Sequence, residues 1–346
     1  MIRRRKTKVI KVGSVKIGGN NPISIQSMLK VRTADLKKAV TQARRLEDAG
    51  CEILRVSIKD KDDAKAINTI KKKISMPVVA DIHFNHHLAL DSIKSGADKI
   101  RINPGNISNP AHLKEIITAS KKKKIPIRIG INSGSLAGRF RNKGIVACAR
   151  KYIKFFEGQG FRDIIISLKS SDVAETVFAY RKLAGLCDYP LHLGVTAAGP
   201  EESGIIKSSI GIGALLLEGI GDTVRVSLTA DPIDEVIAAK NILASLRLRN
   251  FGPNIISCPT CGRCQVNLPK IVEEMQCKLD SPSKPYKCVR TIAIMGCEVN
   301  GPGEARQADI GIAFGKNAGV LFKKGKILKK VPFRNAVREL HKLILS

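Results

Sequence analysis

The first two thirds of the chain repeat one pattern, in which a short apolar strand is followed by an amphipathic helix. Strands that alternate with helices form parallel βαβ units, so this pattern constrains the fold more than any other feature. About eight units over roughly 240 residues predict a (β/α)8 TIM-type barrel, with a doubly wound open sheet as the alternative. The predicted strands are Ile23–Met28, Ile53–Ile58, Val78–His83, Ile100–Asn103, Ile127–Asn132, Ile164–Lys169, Leu191–Thr196 and Val224–Leu228.

Two predicted helices have recognisable ends. For the first, Asp35 to Ala49, we predict Thr33 as the N-cap, and Gly50 lies just past its end. A later helix is predicted to open at Gly204–Ser209 and to end near Glu218. Lys207 and two serines would then lie at a helix N-terminus, which suits phosphate, although plain capping by Ser208 is the alternative.

Polar side chains stand at the predicted carboxyl ends of the barrel strands. In a (β/α)8 barrel these ends carry the chemistry, and arginine can bind phosphate oxygens through two hydrogen bonds. A ring that contains several cations therefore predicts a site for an anionic ligand. The ring comprises Gln26, Arg55, Asp81, His83, Arg101, Asn103, Arg128, Asn132, Lys169 and Arg225.

The pattern changes near residue 248, where strands and helices become fewer and more mixed. We therefore predict two domains, a barrel over residues 1–248 and a small α+β domain over residues 249–346. Six of the nine cysteines fall in the second domain, and in a long chain such crowding favours a metal site over a disulfide framework. The six are Cys258, Cys261, Cys264, Cys277, Cys288 and Cys297.

The spacing of these cysteines leaves more than one metal open. Cys258 and Cys261 share one tight loop after a strand, and Cys297 ends another predicted strand. Structural zinc would take Cys264, Cys277 or Cys288 as its fourth ligand. A ferredoxin-type cluster would need a fourth cysteine where Leu268 stands. A cluster held by the pair and distant ligands is the third possibility. Cys277 and Cys288 are then expected to be buried without a metal role.

The formal net charge of +30 is large, but no aromatic residues interleave with the basic runs and no nucleic-acid-binding motif accompanies them. We therefore do not expect nucleic-acid binding. No apolar run approaches the roughly 18–20 residues of a membrane span, and no apolar segment follows the basic N-terminus as in a signal peptide. A cytoplasmic enzyme is expected.

Two strings in the second domain resemble the 4-hydroxy-3-methylbut-2-enyl diphosphate synthase family (the GcpE/IspG type) in its compact bacterial two-domain form. They are SCPTCGR at Ser257–Arg263 and MGCEVNGPGEA at Met295–Ala305. Matching strings cover nearly the whole chain, among them ADIHFN at Ala80–Asn85, KIRINPGN at Lys99–Asn106 and PIRIGINSGSL at Pro126–Leu136. The chain departs from the family at Ala197, where glutamate is usual, and at Cys264, where threonine is common.

The resemblance implies an oxidoreductase of the non-mevalonate isoprenoid pathway. Two electrons would open and dehydrate 2-C-methyl-D-erythritol 2,4-cyclodiphosphate to (E)-4-hydroxy-3-methylbut-2-enyl diphosphate. It implies a [4Fe–4S] cluster held by Cys258, Cys261, Cys297 and Glu304, with Glu304 also catalytic and Glu235 as a candidate proton donor. The implied substrate-binding residues are Arg55, Asp81, Arg101, Asn103, Arg128, Asn132 and Lys207.

The resemblance also implies a homodimer and an electron donor, either flavodoxin or ferredoxin. A strongly basic surface would favour an encounter with an acidic donor. Two other classes of protein stay open from the residues alone. One is a zinc-stabilised phosphosugar-binding barrel, and the other is a nucleic-acid-associated iron–sulfur protein.

Overall fold

The structure is a computed structural model that describes residues 2–136, 140, 142–280, 289, 291–298 and 308–345. The chain divides into two compact units, residues 1–249 and residues 250–346. Each unit has its own sheet and its own apolar core, and each is described by itself below.

The first unit begins with a small hairpin and continues with eight strands, all parallel to their neighbours. β3 pairs with both β4 and β10, and a bridge between Ile166 and Leu191 joins β8 to the start of β9. The sheet therefore closes on itself, which confirms the barrel and excludes the open sheet. The strands are β1 (Ile10–Val12), β2 (Val15–Ile17), β3 (Ser24–Met28), β4 (Ile53–Ile58), β5 (Val78–Ile82), β6 (Lys99–Ile102), β7 (Ile127–Asn132), β8 (Ile164–Lys169), β9 (His192–Leu193) and β10 (Thr223–Val224).

One helix follows each strand of the barrel. Several begin at an Asp or Asn whose side chain accepts from a free backbone N–H group, as Asp60 does from Asp62 and Asp63. The N-cap of the first helix is Asp35 and not the expected Thr33, whose hydroxyl instead donates to the Ser57 carbonyl at 2.6 Å. The helices are α1 (Leu36–Asp48), α2 (Lys61–Lys71), α3 (His86–Lys94), α4 (Pro110–Lys123), α5 (Gly144–Gly158), α6 (Val173–Ala184), α7 (Glu201–Leu217) and α8 (Pro232–Ser245).

The β1–β2 hairpin packs on the amino-terminal end of the barrel. Its residues Ile10, Val12 and Ile17 are buried together with Ile53 and other side chains near the starts of the barrel strands. This cluster of buried apolar side chains excludes water from the amino-terminal end of the barrel. Polar side chains therefore concentrate toward the opposite end, where the strands terminate.

Within the described residues, the second unit contains a five-stranded mixed sheet and two α-helices. The order is β11-β12-β13-β14-β15, in which β11 to β13 are parallel and the last two pairings are antiparallel. Side chains of both helices join the sheet residues in one apolar core. The elements are β11 (Asn254–Ser257), α9 (Leu268–Asp280), β12 (Thr291–Met295), β13 (Ile310–Phe314), β14 (Gly319–Lys323), β15 (Lys326–Val331) and α10 (Ala336–Leu345).

Candidate active site

The carboxyl ends of the barrel strands surround a polar pocket. Arg101 on β6 is in register with Asp81 on β5 and with Arg128 on β7. Arg55 on β4 is in register with Val79, two residues before Asp81 on the same strand. The pocket is lined by Arg55, Arg101, Arg128, Asn132, Ser167, Lys169, Thr196, Arg225 and Ser227. Five of these side chains are cationic, which matches the anion site expected from the strand ends.

Asp81 is the carboxylate that binds two of these cations. Its Oδ2 lies 2.8 Å from Arg55 Nη2, and its Oδ1 lies 3.0 Å from Arg101 Nη1. His83 Nε2 lies 3.1 Å from the same Oδ2. Burial by itself raises the pKa of Asp81, but Arg55 and Arg101 outweigh it and hold the pKa well below its usual range. Asp81 is therefore ionised and fixes both guanidinium groups.

Two of the remaining cations, Arg128 and Lys169, are poorly neutralised. Arg128 is fully buried, and its Nε and Nη1 atoms have no hydrogen-bond partner among the described residues. Burial and then repulsion by Arg55 and Arg101 bring the pKa of Arg128 well below its usual range. Burial and the neighbouring arginines do the same to Lys169. A bound anion would remove this penalty, because it supplies the missing counter-charge.

Glu235 is buried in the first turn of α8 and faces the barrel wall. Its carboxylate accepts from Ser27 Oγ at 3.1 Å and from the Leu228 N–H group at 3.1 Å. It also lies 3.2 Å from Lys30 Nζ and 3.6 Å from Arg225 Nη2. These contacts hold the Glu235 carboxyl group in place beside Arg225. Its role as a proton donor stays a prediction.

Three expected substrate residues lie in different settings. Asn132 lines the pocket. Asn103 is buried and holds its own loop, since it donates to Ser135 Oγ at 2.7 Å and accepts from the Gly105 N–H group at 3.0 Å. Lys207 lies inside α7, because that helix begins at Glu201 rather than near Gly204. The expected helix N-terminus at Lys207 was therefore wrong, and this exposed lysine donates to the Ala198 carbonyl at 3.2 Å.

Some polar residues of the site were not assigned a role from the sequence. Lys169 and Arg225 stood in the strand-end ring and could have been assigned by that signal. Lys99 and His192 lie deeper in the barrel and are fully buried, and the side-chain nitrogens of both have no partner among the described residues. For Lys99 the signal was its alternation with Arg101 on β6, which directs both side chains to the same side of the strand.

The cysteine loops of the second unit follow two adjacent parallel strands. Cys258 follows β11 and Cys297 lies two residues past β12, and the Gly296 N–H group donates to Cys258 Sγ at 3.2 Å. Cys297 is buried, Cys261 is exposed and Cys264 is half-buried. Cys277 is exposed on α9, so its expected burial was wrong. Glu304 and Cys288 lie outside the described residues.

Within the described residues, no three Cys, His, Asp or Glu side chains are close enough to hold a single metal ion. A four-iron cluster is larger than one ion, and its ligand sulfurs lie farther apart. The donor chemistry fits such a cluster, because the loops supply soft thiolates and an N–H group directed at one of them.

Among the helices that the structure describes, none is long and apolar enough to cross a membrane.

The fold and the site together define a (β/α)8-barrel protein with a pocket lined by cationic side chains and a second, cysteine-bearing domain. Two family models match the chain, described as the GcpE TIM-barrel domain over residues 7–240 and the GcpE protein C-terminal domain over residues 254–346. The chain belongs to the GcpE family of 4-hydroxy-3-methylbut-2-en-1-yl diphosphate synthases.

Curated relatives named 4-hydroxy-3-methylbut-2-en-1-yl diphosphate synthase (flavodoxin) are similar over nearly their whole length. The Fusobacterium nucleatum protein is 51% identical and the match covers 98% of this chain and 97% of that one. The Caldanaerobacter subterraneus protein is also 51% identical, over 99% of this chain and 98% of its own.

Solved structures of dihydropteroate synthases share the barrel. The Stenotrophomonas maltophilia structure has a TM-score of 0.53 at 13% identity and covers 70% of this chain and 100% of its own. The Yersinia pestis structure has a TM-score of 0.52 at 13% identity, over 70% of this chain and 99% of its own. At this identity the likeness shows the fold alone.

Proposed function

We propose that this chain is an iron–sulfur oxidoreductase of the non-mevalonate isoprenoid pathway. Its reaction is the two-electron reductive ring opening and dehydration of 2-C-methyl-D-erythritol 2,4-cyclodiphosphate to (E)-4-hydroxy-3-methylbut-2-enyl diphosphate. The observation that carries the proposal is the set of poorly neutralised cations at the barrel mouth, in a chain 51% identical to synthases of that product.

The cationic pocket is suited to the diphosphate part of this substrate. Arg55, Arg101 and Arg128 bind its oxygens, since guanidinium groups make paired hydrogen bonds to phosphate. Lys169 and Arg225 line the same pocket and add positive charge. Asp81 holds two of the arginines in place, so less freedom is lost when the substrate binds. Asn132 lines the pocket beside them, and Asn103 shapes the adjoining loop.

The second unit would hold the cofactor. We assign a [4Fe–4S] cluster to Cys258, Cys261, Cys297 and Glu304, because thiolates are the usual cluster ligands and an oxygen ligand leaves one iron open to exchange. When bound, the cluster would supply electrons and a Lewis acid. The Gly296 N–H group stabilises the Cys258 thiolate by donating to it. Glu235 is the candidate proton donor and lies beside Arg225.

The proposal includes partners and a compartment. The named relatives use flavodoxin, and reduced flavodoxin or ferredoxin is the proposed electron donor here. We further propose that the protein is a homodimer and works in the cytoplasm. The large positive charge supports an encounter with an acidic donor protein.

Anaerobic purification tests the proposal directly. We expect iron and acid-labile sulfide at about four each per chain, and turnover of the cyclodiphosphate with reduced flavodoxin. An Arg128→Met variant should keep its iron but lose substrate binding. This result would separate the role of the barrel pocket in binding substrate from the role of the second unit in holding the cluster. Zinc in place of iron, or an iron-loaded protein that binds RNA but does not turn over the substrate, would contradict it.

A further inference from the structure

Lys30 joins the segment just past β3 to the segment that follows β10. Its Nζ atom donates to the Leu228 carbonyl at 2.8 Å and to the Ala230 carbonyl, and it lies 3.2 Å from Glu235 Oε1. Its backbone N–H group donates to Gln42 Oε1 on α1 at 2.8 Å. The residue is therefore fixed both at its backbone and at its amino group, unlike a lysine that extends into solvent.

The Glu235 carboxyl group is occupied by donors other than Arg225. Its Oε1 accepts from the Leu228 N–H group at 3.1 Å and faces Lys30, and its Oε2 accepts from Ser27 Oγ at 3.1 Å. Arg225 Nη2 lies 3.6 Å from Oε2, which is longer than a hydrogen bond. Arg225 thus lies next to a carboxyl group that does not take up its donors.

Arg225 consequently keeps donors for a ligand. Its side chain lines the cationic pocket, and its buried Nε atom has no hydrogen-bond partner among the described residues. Arg55 and Arg101, by contrast, each donate a hydrogen bond to Asp81. A guanidinium group with unused donors can bind phosphate oxygens through paired hydrogen bonds.

We propose that Lys30 is a positioning residue of the substrate site, which competes with Arg225 for the Glu235 carboxyl group and so keeps Arg225 available to the diphosphate; this inference rests on the proposed function. Without the Lys30 amino group, Glu235 Oε1 loses a cationic neighbour. The Arg225 guanidinium then moves toward Glu235, because a guanidinium and a carboxylate form a paired, charge-assisted contact when the oxygens are free. Donors used in that contact are no longer directed at the pocket.

The competing interpretation is that Lys30 only fastens the segment after β10 to the end of β3. In that case, removal of a second contact of the same group would weaken the structure further and restore nothing. Competition predicts the opposite for ligand binding, since a change that makes residue 235 a poorer acceptor should release Arg225. The sign of the effect of Glu235→Gln in the Lys30→Met protein therefore separates the two interpretations.

The test is calorimetric titration of the full-length protein and its variants with inorganic pyrophosphate. Lys30→Met keeps the aliphatic stem and should weaken binding by about 10-fold, as for the loss of one charge-assisted hydrogen bond. Lys30→Met/Glu235→Gln should recover most of that affinity, because a neutral amide attracts Arg225 less strongly. In an Arg225→Met background, Lys30→Met should have no further effect, since the residue through which it acts is gone.

The matched control is Lys38→Met, because Lys38 is an exposed lysine of α1 that pairs with Asp35 at 3.1 Å. This variant should bind pyrophosphate as the unaltered protein does. Unchanged affinity in Lys30→Met, or a further loss of affinity when Glu235→Gln is added to it, would overturn the inference. Pyrophosphate binding requires neither electrons nor turnover. A protein that binds pyrophosphate but does not convert the cyclodiphosphate would therefore refute the proposed function alone, so the two failures are distinguishable.

Discussion

At the scale of single residues, the buried Asp81 carboxylate holds two of the arginines at the barrel mouth. Asp81 binds Arg55 and Arg101, whereas Arg128 and Lys169 keep most of their charge uncompensated. A site with more carboxylates would be more stable without a ligand, but it would bind a diphosphate less well. The excess of buried cations is therefore a cost to folding that a bound anion relieves.

Asp81→Asn should lower the free energy of unfolding by about 3–5 kcal/mol, because it leaves two guanidinium groups without their counter-ion. Urea denaturation measures this loss, and added inorganic pyrophosphate should reduce it. Asp62→Asn is the control, since Asp62 forms an exposed pair with Lys65 at 3.5 Å that contributes at most about 1 kcal/mol. A loss for Asp81→Asn no larger than the control would contradict the assignment.

The stability difference between the unaltered protein and Asp81→Asn should also depend on pH. The folded-state pKa of Asp81 lies below the unfolded value of about 3.9, so the stability it contributes is complete well above that value. The difference between the two proteins should stay constant from about pH 6 to pH 8. It should shrink as the pH falls below about 4 and through the lower folded-state pKa.

Lys169 and Lys207 differ in their expected effect on substrate binding. Lys169 is buried in the pocket lining, whereas Lys207 is exposed within α7 and donates to a backbone carbonyl. We expect Lys169→Met to raise the KM for the cyclodiphosphate by roughly 10- to 100-fold, as for a lost charge-assisted hydrogen bond. Lys207→Met should raise it less. Steady-state kinetics with reduced flavodoxin measures both, and the reverse order would place the phosphate site nearer α7.

At the scale of secondary-structure elements, the residues that flank a helix determine where it begins and ends. Gly50 was expected just past α1, and it has a φ of 93°, a conformation that glycine adopts without strain. The predicted start of α7 at Gly204 was wrong, because the helix begins three residues earlier, at Glu201. Pro200 precedes two glutamates there, and acidic residues are favourable in the first turn of a helix. The helix end near Glu218 agrees with the structure.

Gly296→Ala tests the close approach of the two cysteine loops. The new Cβ atom would lie 2.4 Å from Cys264 Sγ, so one loop must move and iron incorporation should fall. Gly262→Ala is the control in the same segment, since no atom lies within 4 Å of its Cβ position. Adding Cys264→Ala to Gly296→Ala should restore iron content, because it removes the clashing sulfur. The measurement is iron content per chain in the unaltered protein, the two single glycine variants and the double variant. Equal iron content in Gly296→Ala and Gly262→Ala would contradict the prediction.

At the scale of the whole molecule, the formal net charge of +30 dominates the long-range field. Like charges repel within the folded chain, but the same field attracts an acidic electron donor. This attraction acts before contact, so it affects the rate of encounter more than the strength of the final complex. The donor reaction should therefore depend on ionic strength.

We expect kcat/KM for reduced flavodoxin to fall several-fold between about 0.01 and 0.15 M salt, as the Debye length shrinks from about 30 to 8 Å. A reduced viologen, which is a small cation, should show no such fall when it replaces flavodoxin. Stopped-flow kinetics with both donors provides the comparison. An equal salt response with the two donors would mean that the fall comes from substrate binding.

The amino-acid pattern was enough to predict the barrel, the small α+β domain and most of the cationic ring. These features follow from local periodicity, because a parallel barrel repeats one strand–helix unit and places its strand ends together. Only the tertiary structure showed that Asp81 holds Arg55 and Arg101, that Glu235 is buried against Arg225, and that Cys264 lies beside Cys258 at Gly296. Such contacts join residues distant in the chain, and spacing along a sequence cannot fix side-chain geometry.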